Sequence, residues 1–141
     1  MLTVTRTVRI EWGDCDPAGI VYFPRYFEYF DQCTARIFEA VGYSKPALLK
    51  AFDIAGIPLV DVRANFRLPS KFGEDVVIHT TIPEWSRSSF KVHHRLMKGD
   101  ELGVEGFETR VWAMPHPDDP QRIKAQPIPP EVVARLSDPK I

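Results

Sequence analysis

The sequence predicts an α+β fold in which a curved antiparallel sheet wraps one long central helix. Three observations carry that reading. A period-two segment opens the chain, one long aromatic-rich helical stretch follows it, and four segments of strand length fill most of the second half. With 141 residues there is enough chain for one core and too little for two ordinary domains, so a single domain over 1–141 is expected.

Residues 4–12 alternate Val4, Arg6, Val8, Ile10 and Trp12 against Thr5, Thr7, Arg9 and Glu11, which is the period of a strand. Pro24 suits the first turn of a helix, where its missing N–H costs nothing. Residues 25–41 then put Tyr26, Phe30, Cys33, Ile37 and Val41 on one stripe, with Phe27 and Phe38 beside it and Gly42 at the end. Glu28, Gln32, Arg36 and Glu39 confine water to a narrow strip, so this helix should be wrapped. Ser44 is placed to cap a shorter helix through Phe52, with Pro46 in its first turn and Gly56 and Pro58 past its end. Residues 59–68, 75–85, 88–98 and 102–114 have strand length, Lys98-Gly99-Asp100-Glu101 is a turn, and an antiparallel meander is expected. In the third of these strands Phe90, Val92, His94 and Leu96 alternate with Ser89, Lys91, His93 and Arg95, so one face must be wetter. From Pro115 onward the tail holds seven of the thirteen prolines, which leaves only 131–136 as a short helix and loose last residues.

Composition narrows the function. A hydrophobic content of 44%, 26% charged residues and a formal net charge of −1 describe a soluble globular chain with no general attraction for nucleic acid or an anionic membrane. There is neither an apolar signal core at the N-terminus nor an apolar run near the roughly twenty residues of a membrane span, so a cytoplasmic protein is expected. Cys15 and Cys33 cannot build a disulfide framework and show no metal-ligand spacing. His93 and His94, adjacent on a strand, point to opposite faces and cannot share a metal. No metal site is expected.

The chemistry concentrates in the run from Glu11 to Pro24, which packs acids, glycines and prolines between a strand and a helix N-terminus. The first N–H groups of a helix lack intrahelical acceptors and sit at the positive end of its dipole, so a polarised carbonyl oxygen can dock there beside a carboxylate. That combination suits hydrolysis of an acyl compound. Asp16 is the first candidate, as a nucleophile on the acyl carbonyl or as a base on water; its plain alternative is an Asx turn before Pro17. Asp14 reads as a loop organiser and second-choice acid. Gly19 either lets the chain approach a ligand or simply makes the turn, and the Phe23 N–H lies just ahead of the proline that opens the helix. A cysteine nucleophile, Cys15 with a distant histidine, has no local motif behind it. Asp31, an acid on an aromatic helix, needs a partner or a solvated edge. Trp12, Tyr22, Phe23, Tyr26, Phe27 and Phe30 suit a flat acyl group and an ordinary core equally well.

The stretch Asp14-Cys15-Asp16-Pro17-Ala18-Gly19-Ile20-Val21-Tyr22-Phe23-Pro24-Arg25-Tyr26 closely resembles the signature of the 4-hydroxybenzoyl-CoA thioesterase family of hot-dog fold proteins. Glu84-Trp85-Ser86-Arg87-Ser88-Ser89-Phe90 resembles that family's second block. The resemblance implies the hot-dog fold, with Asp16 as the catalytic carboxylate, the Phe23 amide polarising the thioester carbonyl and the Gly19 turn shaping the loop. It implies that Arg87, with Ser88 and Ser89, faces the phosphates of coenzyme A, which belongs to the substrate, so no separate cofactor is called for. It also implies a homodimer or homotetramer with active sites between chains. Ser88 stands where the family's block is more basic, which points to redistributed nucleotide contacts, with Lys71 or Lys124 as remote partners. Phe23 stands where relatives acting on other acyl groups carry His, which is closer to the aryl-CoA branch.

The reading is therefore an acyl-CoA thioesterase for a benzoyl-type or hydroxybenzoyl-type thioester. Its rivals are a thioesterase for short aliphatic acyl-CoA or acyl carrier protein, and a non-catalytic acyl-CoA sensor. A dehydratase on this fold would need a histidine near the corner, and none precedes His79.

Overall fold

The computed structural model describes residues 1–139. Its elements are β1 (Thr3–Arg9), α1 (Pro24–Glu39), α2 (Lys45–Phe52), β2 (Leu59–Phe66), β3 (Asp75–Trp85), β4 (Ser89–Lys98), β5 (Glu101–Val111), β6 (Ala113–Pro115), β7 (Ile123–Ala125) and α3 (Pro130–Leu136). Five strands form one antiparallel sheet in the order β1-β3-β4-β5-β2, and α1 packs on one of its faces. Among the described residues no helix is long and apolar enough to cross a membrane.

Period-two patterning decides which residues meet the helix. On β4, Phe90, Val92, His94 and Leu96 are buried against α1 while Lys91, His93 and Arg95 look away. The helix answers with Tyr26, Tyr29, Phe30, Cys33, Thr34, Ile37 and Phe38, all buried. Its first half packs on Val8, Ile10, Val76, Ile78, Leu96 and Val104, and its second half meets Phe90, Trp112 and the apolar side chains of α2 and α3. Gly106 on β5 exists for Phe30: a Cβ there would lie 2.5 Å from the Phe30 ring. A break in the β3–β4 register between Thr81 and Glu84, around Pro83, adds the local bend and twist that bulges give a sheet that wraps a helix.

Several expectations need correcting. β1 stops at Arg9, and Trp12 belongs to a 3₁₀ turn, Trp12–Asp14, because the chain must swing toward α1. Only β3, β4 and β5 form a meander. β2 crosses to the far edge and pairs with β5, register Arg63 to Phe107 and Ala64 to Gly106, because the helix occupies the face between. The expected strand over 102–114 breaks at Trp112 into β5 and β6, and the proline-rich tail returns as β7 against β6. The final residues, expected to be loose, run past the described residues.

β2 is an unpaired edge with both faces largely open. Leu59, Val60, Val62 and Phe66 are all exposed, an apolar row that an isolated sheet edge usually hides.

Candidate active site

The corner between β1 and α1 closes on itself. After the 3₁₀ turn, Cys15 bridges Val21, the Asp16 N–H donates to the Ile20 carbonyl (2.9 Å) and the Gly19 N–H donates to the Asp16 carbonyl (2.9 Å). Gly19 takes φ +82°, the left-handed conformation that the turn requires of it, with open space where a Cβ would stand. Pro17 and Ala18 are exposed at the tip. The Asx turn is present: Asp16 Oδ1 accepts the Ala18 N–H at 2.8 Å. That bond fixes one carboxylate oxygen and leaves Oδ2 with no partner among the described residues, so turn-making and chemistry are compatible in one side chain.

The outgoing limb runs straight into α1. Phe23, in helical conformation with φ −53° and ψ −35°, precedes Pro24 at the first helical position. The Arg25 N–H reaches back to the Tyr22 carbonyl and that of Tyr26 to Phe23, whereas the Phe23 N–H has no acceptor among the described residues. It is a free donor at the positive end of the helix. Beside it lies an apolar groove of about 380 Å³ lined by Ile20, Val21, Phe23, Tyr26, Phe66, Arg67, Leu68 and Pro69.

Asp14 holds the incoming limb. Its Oδ2 accepts the Glu11 N–H (3.2 Å), its carbonyl accepts the Tyr22 N–H (2.8 Å), and its Oδ1 lies 4.0 Å from Arg25 Nε. It ties the two limbs together as a loop organiser. Cys15 Sγ contacts the Glu11 carbonyl at 3.6 Å, and His93, His94 and His116 make their hydrogen bonds elsewhere. Among the described residues no histidine is hydrogen-bonded to this thiol. Among the described residues no cluster of three or more His, Cys, Asp or Glu is arranged for a metal ion.

Arg87 sits far from this corner. It lies exposed in the 86–88 connection, its carbonyl accepting the Ile128 N–H at 2.8 Å, with Ser88 beside it and Ser89 opening β4. The pairing of Arg9 with Asp75 puts Asp16 at one end of β3, and Arg87 follows the other end at Trp85. At about 3.3 Å per residue, the eleven residues of β3 keep the two roughly 30 Å apart within one chain. Lys71, bridged to Ile20, belongs to the Asp16 end, and Lys124, on β7, lies on a different element from Arg87.

Sequence reasoning missed a buried ionic network beneath α1. His94, fully buried and stacked on Phe30 (4.7 Å between ring centroids), bonds Thr80 through Nδ1 (2.8 Å) and Glu108 through Nε2 (2.9 Å). Thr34 donates to Glu108 Oε1 (2.8 Å), and Arg110 joins Glu108 (2.7 Å), Asp31 (2.8 Å) and the Ile57 carbonyl (3.1 Å). Asp31 therefore has its partner. Burial pushes the Glu108 carboxyl up, but the His94 and Arg110 bonds outweigh that and hold it below the ordinary glutamate value. The available signal was that Glu108 and Arg110 share the inward parity of Val104 on β5 and of Trp112 just past its end. A cavity of about 230 Å³ opens above this network, walled by Asp31, Thr34, Arg110, Tyr43, Leu48 and Ile57.

Comparison with known proteins places this architecture. Residues 10–136 match the model of the Thioesterase-like superfamily. The chain is 33% identical to a 4-hydroxybenzoyl-CoA thioesterase from Pseudomonas sp. (strain CBS-3), over 96% of this chain and 98% of that one. It is 27% identical to a 1,4-dihydroxy-2-naphthoyl-CoA hydrolase from a Synechococcus species, over 74% and 72% of the two chains. A crystal structure of an aspartate-to-asparagine mutant of 4-hydroxybenzoyl CoA thioesterase, complexed with 4-hydroxybenzoyl CoA, superposes with a TM-score of 0.88 at 30% identity, covering 97% of this chain and all of that one. With its helix-wrapping sheet and its acid corner at the helix N-terminus, the chain belongs to the Thioesterase-like superfamily of hot-dog fold proteins.

Proposed function

We propose that this enzyme, acting as a single domain, hydrolyses a benzoyl-type or hydroxybenzoyl-type CoA thioester to the free carboxylate and coenzyme A. The observation that carries the proposal is the corner itself, where a half-tethered carboxylate, an unpaired helix N-terminal N–H and an aromatic-walled groove share one loop. In this reading the acyl ring lies in the groove by Phe23, Tyr26 and Phe66, and the thioester oxygen accepts the Phe23 N–H. That bond strengthens as negative charge develops on the oxygen.

Asp16 Oδ2 then attacks the carbonyl carbon, expelling the CoA thiolate and leaving a mixed anhydride that water opens; alternatively Asp16 takes a proton from the water that attacks. Either route consumes one water and returns Asp16 to its starting form. No group besides the substrate's own coenzyme A is invoked. The relative solved with 4-hydroxybenzoyl CoA carries an aspartate-to-asparagine change, in keeping with an aspartate at the centre of the chemistry.

Arg87, with Ser88 and Ser89, is assigned to the nucleotide phosphates, where a guanidinium grips oxygens in pairs. The roughly 30 Å between Arg87 and Asp16 requires them to serve one substrate from different chains. A homodimer or homotetramer follows, with the open apolar edge of β2 as the surface where a second copy adds its own β2. Antiparallel pairing there would set the Phe66 end of one chain, next to its Asp16 corner, against the Leu59 end of the other. The free thiols Cys15 and Cys33 fit the reducing cytoplasm.

The test is thiol release from a panel of aryl, alkyl and acyl-carrier thioesters, with mass analysis of the acid formed. Asp16→Asn should lose on the order of a hundredfold or more in turnover on the best substrate, with Asp14→Asn costing less. Preference for alkyl or carrier thioesters would favour the aliphatic rival, and tight binding without thiol release would favour a sensor.

A further inference from the structure

We propose that Tyr29 is a positioning residue that sets the catalytic corner through Asp14; the inference rests on the reading of Asp16 as the catalytic carboxylate. Tyr29 lies on the second turn of α1, one turn beyond Arg25, and is buried. Its ring packs edge-to-face on Tyr26 at 6.3 Å. Its hydroxyl completes no hydrogen bond of ordinary geometry among the described residues, although the Asp14 carboxylate is near enough to bear on it. Arg25, one turn earlier on the same face of α1, lies 4.0 Å from Asp14 Oδ1, which brings the Asp14 carboxylate against this face of the helix; burial first, and the Asp14 carboxylate next, push the Tyr29 hydroxyl above its ordinary pKa.

A phenylalanine would supply the same ring contact without burying an orphan hydroxyl, which costs stability for as long as it lacks a partner. The hydroxyl is therefore expensive to the fold, and its position shows where it acts. Asp14 already accepts the Glu11 N–H and faces Arg25 at 4.0 Å. Through its carbonyl it also fixes the Tyr22 N–H, the residue before the Phe23 donor. Tyr26 secures the other limb by accepting the Ser70 N–H at 3.2 Å, and the Ser70 carbonyl accepts from Val21 at 2.9 Å. The helix thus grips both limbs, and Tyr29 holds a spare donor against the one that aims the Phe23 N–H. When the corner tightens on a thioester, the hydroxyl donates to Asp14 and locks that aim. Small errors in such an aim are costly to turnover and cheap to binding.

Tyr29→Phe is therefore expected to lower kcat about tenfold with KM within about twofold, while Tm stays level or rises by about 2–4 °C. In an Asp14→Asn background the same change should cost nothing further, because both act at one contact. Asp16→Asn is measured alongside on the same thioester. If Asp16→Asn keeps its turnover, the reading of the corner falls and this inference with it. If Asp16→Asn is inactive but Tyr29→Phe turns over normally, loses Tm together with kcat, or adds its loss to that of Asp14→Asn, the Tyr29 inference alone is overturned.

Discussion

Arg110→Met would test the buried network directly. The substitution keeps much of the side-chain volume and removes the bonds to Glu108, Asp31 and the Ile57 carbonyl. The Glu108 side chain is only 2% exposed and is left with His94 and Thr34. Breaking a buried ion pair by removing one member costs about 3–5 kcal/mol, since the remaining charge stays desolvated. The Asp31 side chain is 53% exposed, so water takes over its half of the loss, and the lower figure of about 3 kcal/mol is the one to expect. For a chain of this length that is a fall in Tm of roughly 10 °C.

The pH dependence has a definite sign. Burial favours the neutral Glu108 carboxyl, the His94 and Arg110 bonds overcome it, and its folded pKa ends below the ordinary value. A depressed acid contributes stability that is present above the unfolded value of about 4.3 and lost as pH falls through the folded one. Without Arg110 the burial effect gains ground and the folded pKa moves up. The gap in Tm between wild type and variant is therefore widest near neutrality and narrows below about pH 4. Calorimetry at fixed protein concentration, at pH 7.5 and pH 3, measures both. A drop of less than about 3 °C at pH 7.5, or an equal gap at the two pH values, would refute the reasoning. Arg25→Gln is the control, since its bridge to Glu28 (3.0 Å) is exposed and should leave Tm unmoved.

Arg87→Ala should raise KM more than it lowers kcat, because a remote phosphate contact binds substrate and transition state alike; steady-state kinetics on a full CoA thioester and a truncated pantetheine thioester should show the effect shrinking on the latter, and equal losses would remove Arg87 from the phosphate. Gly106→Ala should destabilise by about 1–3 kcal/mol, since the new methyl would meet a Phe30 ring held at 4.7 Å by His94 and unable to retreat; unchanged thermal unfolding would show that the ring has room. Sedimentation at assay concentration should show a dimer or tetramer, and charged substitutions at Val60 and Val62 on the open edge should shift it toward monomer with loss of activity.

The corner was readable from the sequence because its instructions are local. Pro24 marks the helix start, Gly19 marks the positive-φ turn, and Asp16 before Pro17 marks the Asx turn, so no long-range contact is needed to place them. The β4 alternation was equally plain, and it correctly separated His93 from His94. What resisted reading depends on partners distant along the chain. Glu108 and Arg110 interrupt an apolar inward row, and it is Thr34, Asp31, His94 and the Ile57 carbonyl, all distant along the chain, that make that interruption stable. β2 looked like the first strand of a meander because its pattern says nothing of which neighbour it pairs with. The Phe23 groove needs Phe66 and Pro69 brought against α1, which no spacing rule announces.

The length of β3 carries a genetic consequence. If bond cleavage belongs to the Asp16 end and nucleotide capture to the Arg87 end, roughly 30 Å away, the two defects are not confined to one chain. A subunit lacking Asp16 still offers an intact Arg87, and a subunit lacking Arg87 still offers an intact Asp16. Co-assembly of two crippled chains then regenerates some sites in which both working ends meet, so two separately inactive alleles expressed together restore part of the activity. A chain whose β2 edge is blocked could not take part in such a rescue.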